Sequence, residues 1–93
     1  MVTACLEVNF KIEGALSLKD KRMVIKSLKD KLKARFNVSV AETGEHDKWQ
    51  LGVLGMAFAS DSESGARKEA QNAMEFLNEN YDIEILDHTL TLY

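Results

Sequence analysis

The stretch "VTACLEVNFKI", residues 2–12, alternates strictly between apolar residues and other residues. The apolar residues share one face of the pattern: Val2, Ala4, Leu6, Val8, Phe10 and Ile12. The intervening residues share the other face: Thr3, Cys5, Glu7, Asn9 and Lys11. Because successive side chains of a β-strand point to opposite faces, this alternation predicts a long strand with one buried face.

A helix is predicted directly after this strand. Gly14 ends the alternation, and "SLKDKR", residues 17–22, offers Ser17 as an N-cap with Asp20 three residues later. This arrangement resembles a capping box and places a favourable negative charge at the helix N-terminus. Apolar residues then recur at helical spacing, and we expect the helix to end near Asn37. These apolar residues are Leu18, Val24, Ile25, Leu28, Leu32 and Phe36.

The middle of the chain predicts two strands and a second helix. Residues 37–43 alternate as a short strand, residues 44–48 form a polar turn, and residues 49–59 read as an apolar, central strand. Residues 60–62 are rich in capping side chains and open the second helix. Its inner stripe consists of Ala66, Ala70, Ala73, Met74 and Leu77.

A last strand completes the pattern. Asn80 is expected to cap the second helix, and the strand begins at Ile83. Its alternation slips between Ile85 and Leu86, which predicts a β-bulge or a late start. The order βαββαβ, together with the right-handed crossover rule, predicts an α+β ferredoxin-like sandwich. We expect one domain over residues 1–93, with a four-stranded antiparallel sheet and both helices on one face.

Composition narrows the class of protein. The chain of 93 residues is 45% hydrophobic and 29% charged and contains no proline, which is typical of a globular domain with one core. No apolar run approaches the roughly 20 residues of a membrane span, and residues 1–14 lack the pattern of a signal peptide. We therefore expect a cytoplasmic protein without a membrane partner. Cys5 is the only cysteine, which excludes an internal disulfide and a cysteine-rich zinc site.

Basic residues are concentrated in the first predicted helix. The segment from Lys19 to Arg35 holds eight of the twelve bases but only two of the fifteen acids, so it carries +6 and the remainder carries −9. Five bases form one stripe on a helical wheel, called here the cationic ridge. The cationic ridge consists of Lys19, Arg22, Lys26, Lys29 and Lys33. A charged helix face is often an ordinary solvent-exposed surface without a binding role. Basic charge concentrated on one side is also typical of proteins that bind nucleic acids.

Lys21 points away from the cationic ridge on the wheel, toward Leu28 and Leu32. Its side chain is expected either to snorkel to solvent at the helix start, which is the favoured interpretation, or to hold an anion together with the helix N-terminal amides. We include Lys21 with the cationic ridge among the candidate nucleic-acid or anion-binding residues.

Other recognition motifs receive little support. RNA-recognition domains of this topology stack bases on sheet aromatics, but the outer face of the first strand has none. Gly52 and Gly55 resemble a GxxG clamp but lie inside an apolar strand, where close packing explains them better. Glu42, His46 and Asp47 make only a weak metal-site pattern.

Catalytic motifs are also missing from the pattern. Glu7 and Glu84 form no convincing acid–base pair, and His88 lies on an alternating strand rather than in a ligand cluster. No Ser-His-Asp, P-loop or dinucleotide motif is present. We therefore expect no catalytic residue, metal or cofactor, and a protein that is not an enzyme.

The third strand raises the prospect of a partner. It is apolar on both faces, whereas helices cover only one side of such a sheet, so one apolar set is expected on the open face. A homodimer through this face is the simplest interpretation, with Trp49, Leu51 and Val53 as interface candidates.

The segments "SLKDKR" at 17–22 and "FNVSVAE" at 36–42, with Trp49-Gln50 after a short polar turn, resemble the YlxP-like family of small bacterial proteins of unknown function. The resemblance covers essentially the whole chain. It implies a ferredoxin-like fold. Genes of this family commonly lie near genes for translation initiation and ribosome maturation, so the resemblance also implies a connection with the ribosome or with RNA. It implies no activity and no catalytic residues.

Two hypotheses follow from the sequence. The first is a non-enzymatic protein that binds RNA or the ribosome through the cationic ridge. The alternative is a homodimeric interaction or small-ligand-binding module that uses the open sheet face.

Overall fold

The structure is a computed structural model that describes residues 1–93. The strands are β1 (Val2–Ile12), β2 (Ser39–Gly44), β3 (Leu51–Ser60) and β4 (Ile83–Leu92), and the helices are α1 (Leu18–Arg35) and α2 (Glu63–Asn78). The strands form one antiparallel sheet in the order β2-β3-β1-β4. This order, with two crossover helices, confirms the predicted ferredoxin-like βαββαβ sandwich.

β1 is one of the two central strands, and its alternation has the predicted effect. Ala4, Leu6, Val8, Phe10 and Ile12 are buried beneath the helices, whereas Glu7 and Lys11 are exposed on the open face. The apolar residues of β1 join a single core cluster of 17 residues.

β3 presents its larger residues to the helices. Leu54, Met56 and Phe58 are buried in the core, and Gly52 lies on the same face. A Cβ atom at Gly52 would stand 2.5 Å from the ring of Phe10, so this close approach requires glycine. The packing interpretation of Gly52 is thus supported by the geometry.

Gly55 lies on the open face of β3, where the side chain of Thr43 passes over it. A Cβ atom at Gly55 would stand 2.7 Å from Thr43 Cγ2, and Thr43 Oγ1 donates a hydrogen bond of 3.2 Å to Glu7 Oε2 on β1. Both glycines therefore permit close packing inside a strand and do not form a ligand-clamping loop.

β4 contains the predicted bulge. Phe10 pairs with Ile85 and Asn9 pairs with Asp87, which leaves Leu86 without a partner in the register. The extra residue restores the alternation, so that Leu90 and Leu92 return to the helix side opposite Leu6 and Ala4.

The start of α1 agrees with the prediction. Ser17 Oγ accepts a hydrogen bond of 3.1 Å from the backbone N–H of Asp20, and Asp20 Oδ2 accepts one of 3.0 Å from the N–H of Leu16. The helix ends at Arg35 with Phe36 as its C-cap.

The end of α2 corrects a detail. Glu79, rather than Asn80, is the C-cap, because the N–H of Glu79 donates to Glu75 O and closes the last turn. The side chain of Asn80 instead accepts a hydrogen bond of 2.9 Å from the N–H of Asp82 and shapes the turn into β4. Neither helix combines the length and the apolar character that a membrane span requires.

Candidate nucleic-acid interface

The cationic ridge lies along one side of a single continuous helix, since all five residues fall within α1. Lys19, Arg22, Lys26 and Lys33 are exposed, and Lys29 is half-buried. The adjoining side of α1 packs into the core through Ile25, Leu28 and Leu32. Helix geometry thus separates the apolar contact with the sheet from a cationic surface that faces solvent.

Lys21 is not part of this surface. Its side chain is 2% exposed, and its Nζ donates hydrogen bonds to the backbone oxygens of Glu45 and Lys48, the latter at 2.6 Å. Nζ also lies 3.1 Å from Glu42 Oε2, an ion pair whose angles do not satisfy those of a hydrogen bond. Three oxygens of the chain itself thus surround the ammonium group, which does not snorkel to solvent.

The Lys21–Glu42 contact joins α1 to β2, and the hydrogen bonds of Lys21 join the helix to the turn at residues 45–50 between β2 and β3. Within this turn Glu45 adopts a left-handed backbone conformation with φ of 56°, which is uncommon for a residue other than glycine. The hydrogen bonds from Lys21 to the carbonyls of Glu45 and Lys48 hold this turn against the helix.

One acidic residue, Asp30, forms an ion pair with a lysine of the cationic ridge. Asp30 Oδ2 accepts a hydrogen bond of 2.9 Å from Lys26 Nζ at i,i+4 spacing. This hydrogen bond and the charge of Lys26, with smaller contributions from Lys33 and Lys29, lower the pKa of Asp30. Asp30 therefore stays ionised near neutral pH and offsets part of the charge of Lys26.

A cavity of about 400 Å³ opens between α1 and the turn. Arg22, Lys26 and Lys29 line it from the cationic ridge, and His46 lines it from the turn. We call it the ridge cavity. It brings the basic side chains of α1 together with His46, which follows Lys29 by 17 residues in the sequence.

The sequence pattern contains a signal for the Lys21–Glu42 pair. Val38, Val40 and Glu42 occupy alternate positions, so Glu42 belongs to the inward face of the second strand. Lys21 likewise falls at an inward position of the helix. Because buried charges are paired, two inward charges of opposite sign predict a contact. The weak metal-site pattern of Glu42, His46 and Asp47 does not include this pairing.

No group of three or more His, Cys, Asp or Glu side chains comes together to hold a metal ion. His88 is exposed on β4, on the helix side of the sheet opposite Val8. Cys5 is half-buried on the open face of β1.

The three interface candidates have different environments. Trp49 precedes β3 and is 43% exposed, Leu51 is half-buried, and Val53 is only 7% exposed. Val53 is covered at the position where Gly44 of β2 packs against it. The open face instead has a shallow cavity of about 450 Å³ lined by small residues, among them Cys5, Gly55 and Ala57.

Comparison with known proteins agrees with the resemblance in the sequence. The profile of a family described as "Protein of unknown function (DUF503)" matches residues 3–90. The chain is also 38% identical over 73 residues to the "Uncharacterized protein YlxP" of Bacillus subtilis (strain 168), a match that covers 78% of this chain and 79% of that protein. The chain belongs to the DUF503 family of YlxP-like proteins of unknown function.

Proposed function

We propose that this protein is a non-enzymatic RNA-binding protein, associated with RNA or with ribosomal particles through the cationic ridge. The observation that supports the proposal is the placement of five bases on one solvent-facing side of α1, with one intervening acid, Asp30. From Lys19 to Lys33 the ridge spans about 21 Å of helix. A rigid row of cations of this length suits contact with several successive phosphates.

The acidic remainder of the molecule supports the same function. Outside Lys19–Arg35 the chain carries a net charge of −9, so a polyanion is repelled from most of the surface and attracted to one side. Such asymmetry orients the protein on RNA, although its total charge is only −3. Screening acts over roughly 8 Å at physiological salt, so the local ridge and not the net charge dominates at contact.

The test compares two triple variants with the same change in net charge. The ridge variant is Lys26→Glu, Lys29→Glu and Lys33→Glu; the matched control is Lys11→Glu, Lys48→Glu and Lys68→Glu, whose residues are exposed and outside α1. We expect the ridge variant to lose RNA binding in fluorescence anisotropy and co-sedimentation with ribosomal particles, while the control retains both. Circular dichroism should be unchanged in both.

Salt dependence provides the second part of the test. For roughly five phosphate contacts on single-stranded RNA, the logarithm of the association constant should fall with the logarithm of salt concentration with a slope of about −3.5. Equal losses in the two triple variants, or binding that does not respond to salt, would contradict the proposal.

A second candidate function is homodimerisation or small-ligand binding through the open sheet face. The observation that favours it is the shallow cavity of about 450 Å³ at Cys5, Gly55 and Ala57, which the helices do not cover. The two functions are compatible, because the cationic ridge and the open face belong to different sides of the molecule.

A further inference from the structure

The ridge cavity has an excess of positive charge. The titratable residues that line it are Lys21, Arg22, Lys26, Lys29, Glu42 and His46. Four cationic side chains and one imidazole therefore surround a cavity with a single carboxylate. Its volume of about 400 Å³ suits one group of a larger ligand or a small ligand as a whole.

The carboxylate of Glu42 does not neutralise this charge. It lies 3.1 Å from Lys21 Nζ, so these two charges balance each other. Of the other three cations only Lys26 has an ion-pair partner, Asp30 outside the cavity lining. Arg22 and Lys29 form no salt bridge with any acid of the chain. Their charge is available to an anionic ligand.

The backbone of one cavity wall is held in place by hydrogen bonds within the chain. Lys21 bonds the backbone oxygens of Glu45 and Lys48, the residues on either side of His46 and Asp47. The wall that contains His46 is thereby fixed to the helix that contains Arg22 and Lys29. A preorganised site binds more tightly because less conformational freedom is lost on binding.

We propose that the ridge cavity binds a phosphate monoester, and specifically the terminal phosphate of an RNA strand that lies along the cationic ridge. The inference rests on the proposed function and adds to it a preference for a strand end. A monoester carries about −1.5 to −2 charges at neutral pH, more than the single charge of an internal diester. A concave site with uncompensated cations gains most from that difference, and the Arg22 guanidinium matches phosphate geometry with two parallel donors.

The decisive measurement compares one short single-stranded RNA with a phosphate at its 5′ end, at its 3′ end, or at neither end. We expect one of the phosphorylated forms to bind about tenfold more tightly than the unphosphorylated form, the factor that one charge-assisted hydrogen bond supplies. Arg22→Gln and His46→Gln should remove this preference. Lys33→Gln, on the cationic ridge but outside the cavity lining, should weaken all three RNAs by the same factor.

Inorganic phosphate distinguishes the sources of the phosphate group. The chain has two histidines, and only His46 lines the ridge cavity, so His88 on β4 is an internal reference. In a titration followed by proton NMR, the imidazole resonances of His46 should shift and those of His88 should not.

The outcomes separate this inference from the proposed function. Equal affinity for all three RNAs, with no shift at His46, would overturn the terminal-phosphate site and leave RNA binding by the ridge intact. A shift at His46 with inorganic phosphate, but no RNA binding, would support a phosphate site and overturn the RNA function, so that the ligand is a small phosphorylated molecule. Shifts of equal size at both histidines would overturn the site.

Discussion

At the scale of single residues, Lys21 is the one buried residue of the molecule with a charged side chain. It lies at an apolar position of α1, and its charge is compatible with burial only because Glu42 and two turn carbonyls surround it. A buried ion pair is not by itself stabilising, since the cost of desolvation offsets the attraction between the charges. Removing one partner is nevertheless destabilising, because the other charge then remains buried without compensation. The pair therefore connects α1 specifically to β2 and the turn.

Removing one half of this pair should be costly. We expect Lys21→Ala to lower the free energy of unfolding by about 3–5 kcal/mol, because Glu42 would remain as an uncompensated carboxylate at a largely buried position. The double variant Lys21→Met, Glu42→Leu should recover most of that loss. Urea denaturation measures both. If Lys21→Ala were as stable as the wild type, or if the double variant were less stable than the single one, the coupling would be absent.

At the scale of elements, α1 combines three roles along its length. Ile25, Leu28 and Leu32 pack on the sheet, Lys21 joins the turn, and the cationic ridge faces solvent. The side toward α2 has a fourth environment, in which the Arg35 guanidinium lies 4.8 Å from the centre of the Phe76 ring. Such a distance is typical of a cation–π contact, so Arg35 serves packing between the helices.

Asp30 limits the strength of the cationic ridge. We expect Asp30→Asn to raise RNA affinity about two- to fivefold at low salt, because Lys26 loses its ion-pair partner and the ridge loses a repulsive charge. Asp61→Asn, an equal change at an exposed position outside α1, should leave affinity unchanged. Fluorescence anisotropy measures both variants, and equal effects would show that total charge rather than position matters.

The same pair has a pH dependence with a defined sign. Because the pKa of Asp30 is lowered in the folded protein, its contribution to stability is fully present above the ordinary carboxyl pKa. It is lost as pH falls through the lowered pKa. RNA-binding experiments near neutral pH therefore always include an ionised Asp30.

At the scale of the whole molecule, the sheet has one face covered by two helices and one face open. The open face has small residues at its centre, with Ala57 half-buried beside Gly55 and Cys5. The cationic ridge and this face are separate surfaces, so each can be blocked without the other.

If the open face forms a homodimer, Ala57→Arg should convert the dimer to a monomer, because the long side chain fills the shallow cavity. RNA binding by the cationic ridge should persist in this variant. Analytical ultracentrifugation over a range of protein concentrations and at two salt concentrations measures the association, which is expected to be insensitive to salt. A wild-type protein that is monomeric at the highest concentration would exclude this dimer.

The fold and the basic stripe of α1 follow from local patterns in the sequence. The alternation in residues 2–12, the helical spacing after Ser17 and the slip at Leu86 each correspond to the element that the structure shows. These patterns are readable because the geometry of a strand or a helix converts local sequence spacing directly into a common face. The cationic ridge was predictable for the same reason, since its five residues belong to one helix.

The contacts that those faces make depend on how the elements pack in three dimensions. Lys21 contacts Glu42 and Lys48, which are more than 20 residues away in the sequence. The contact with Lys48 holds the turn against α1, and His46 therefore lies beside Arg22 and Lys29. Likewise, Val53 belongs to the open face of β3 yet is covered where β2 packs beside it. The local periodicity of a sequence predicts the face on which a side chain lies. It does not predict which residues from distant parts of the sequence contact that side chain, because those contacts depend on the path of the chain and on the register between strands.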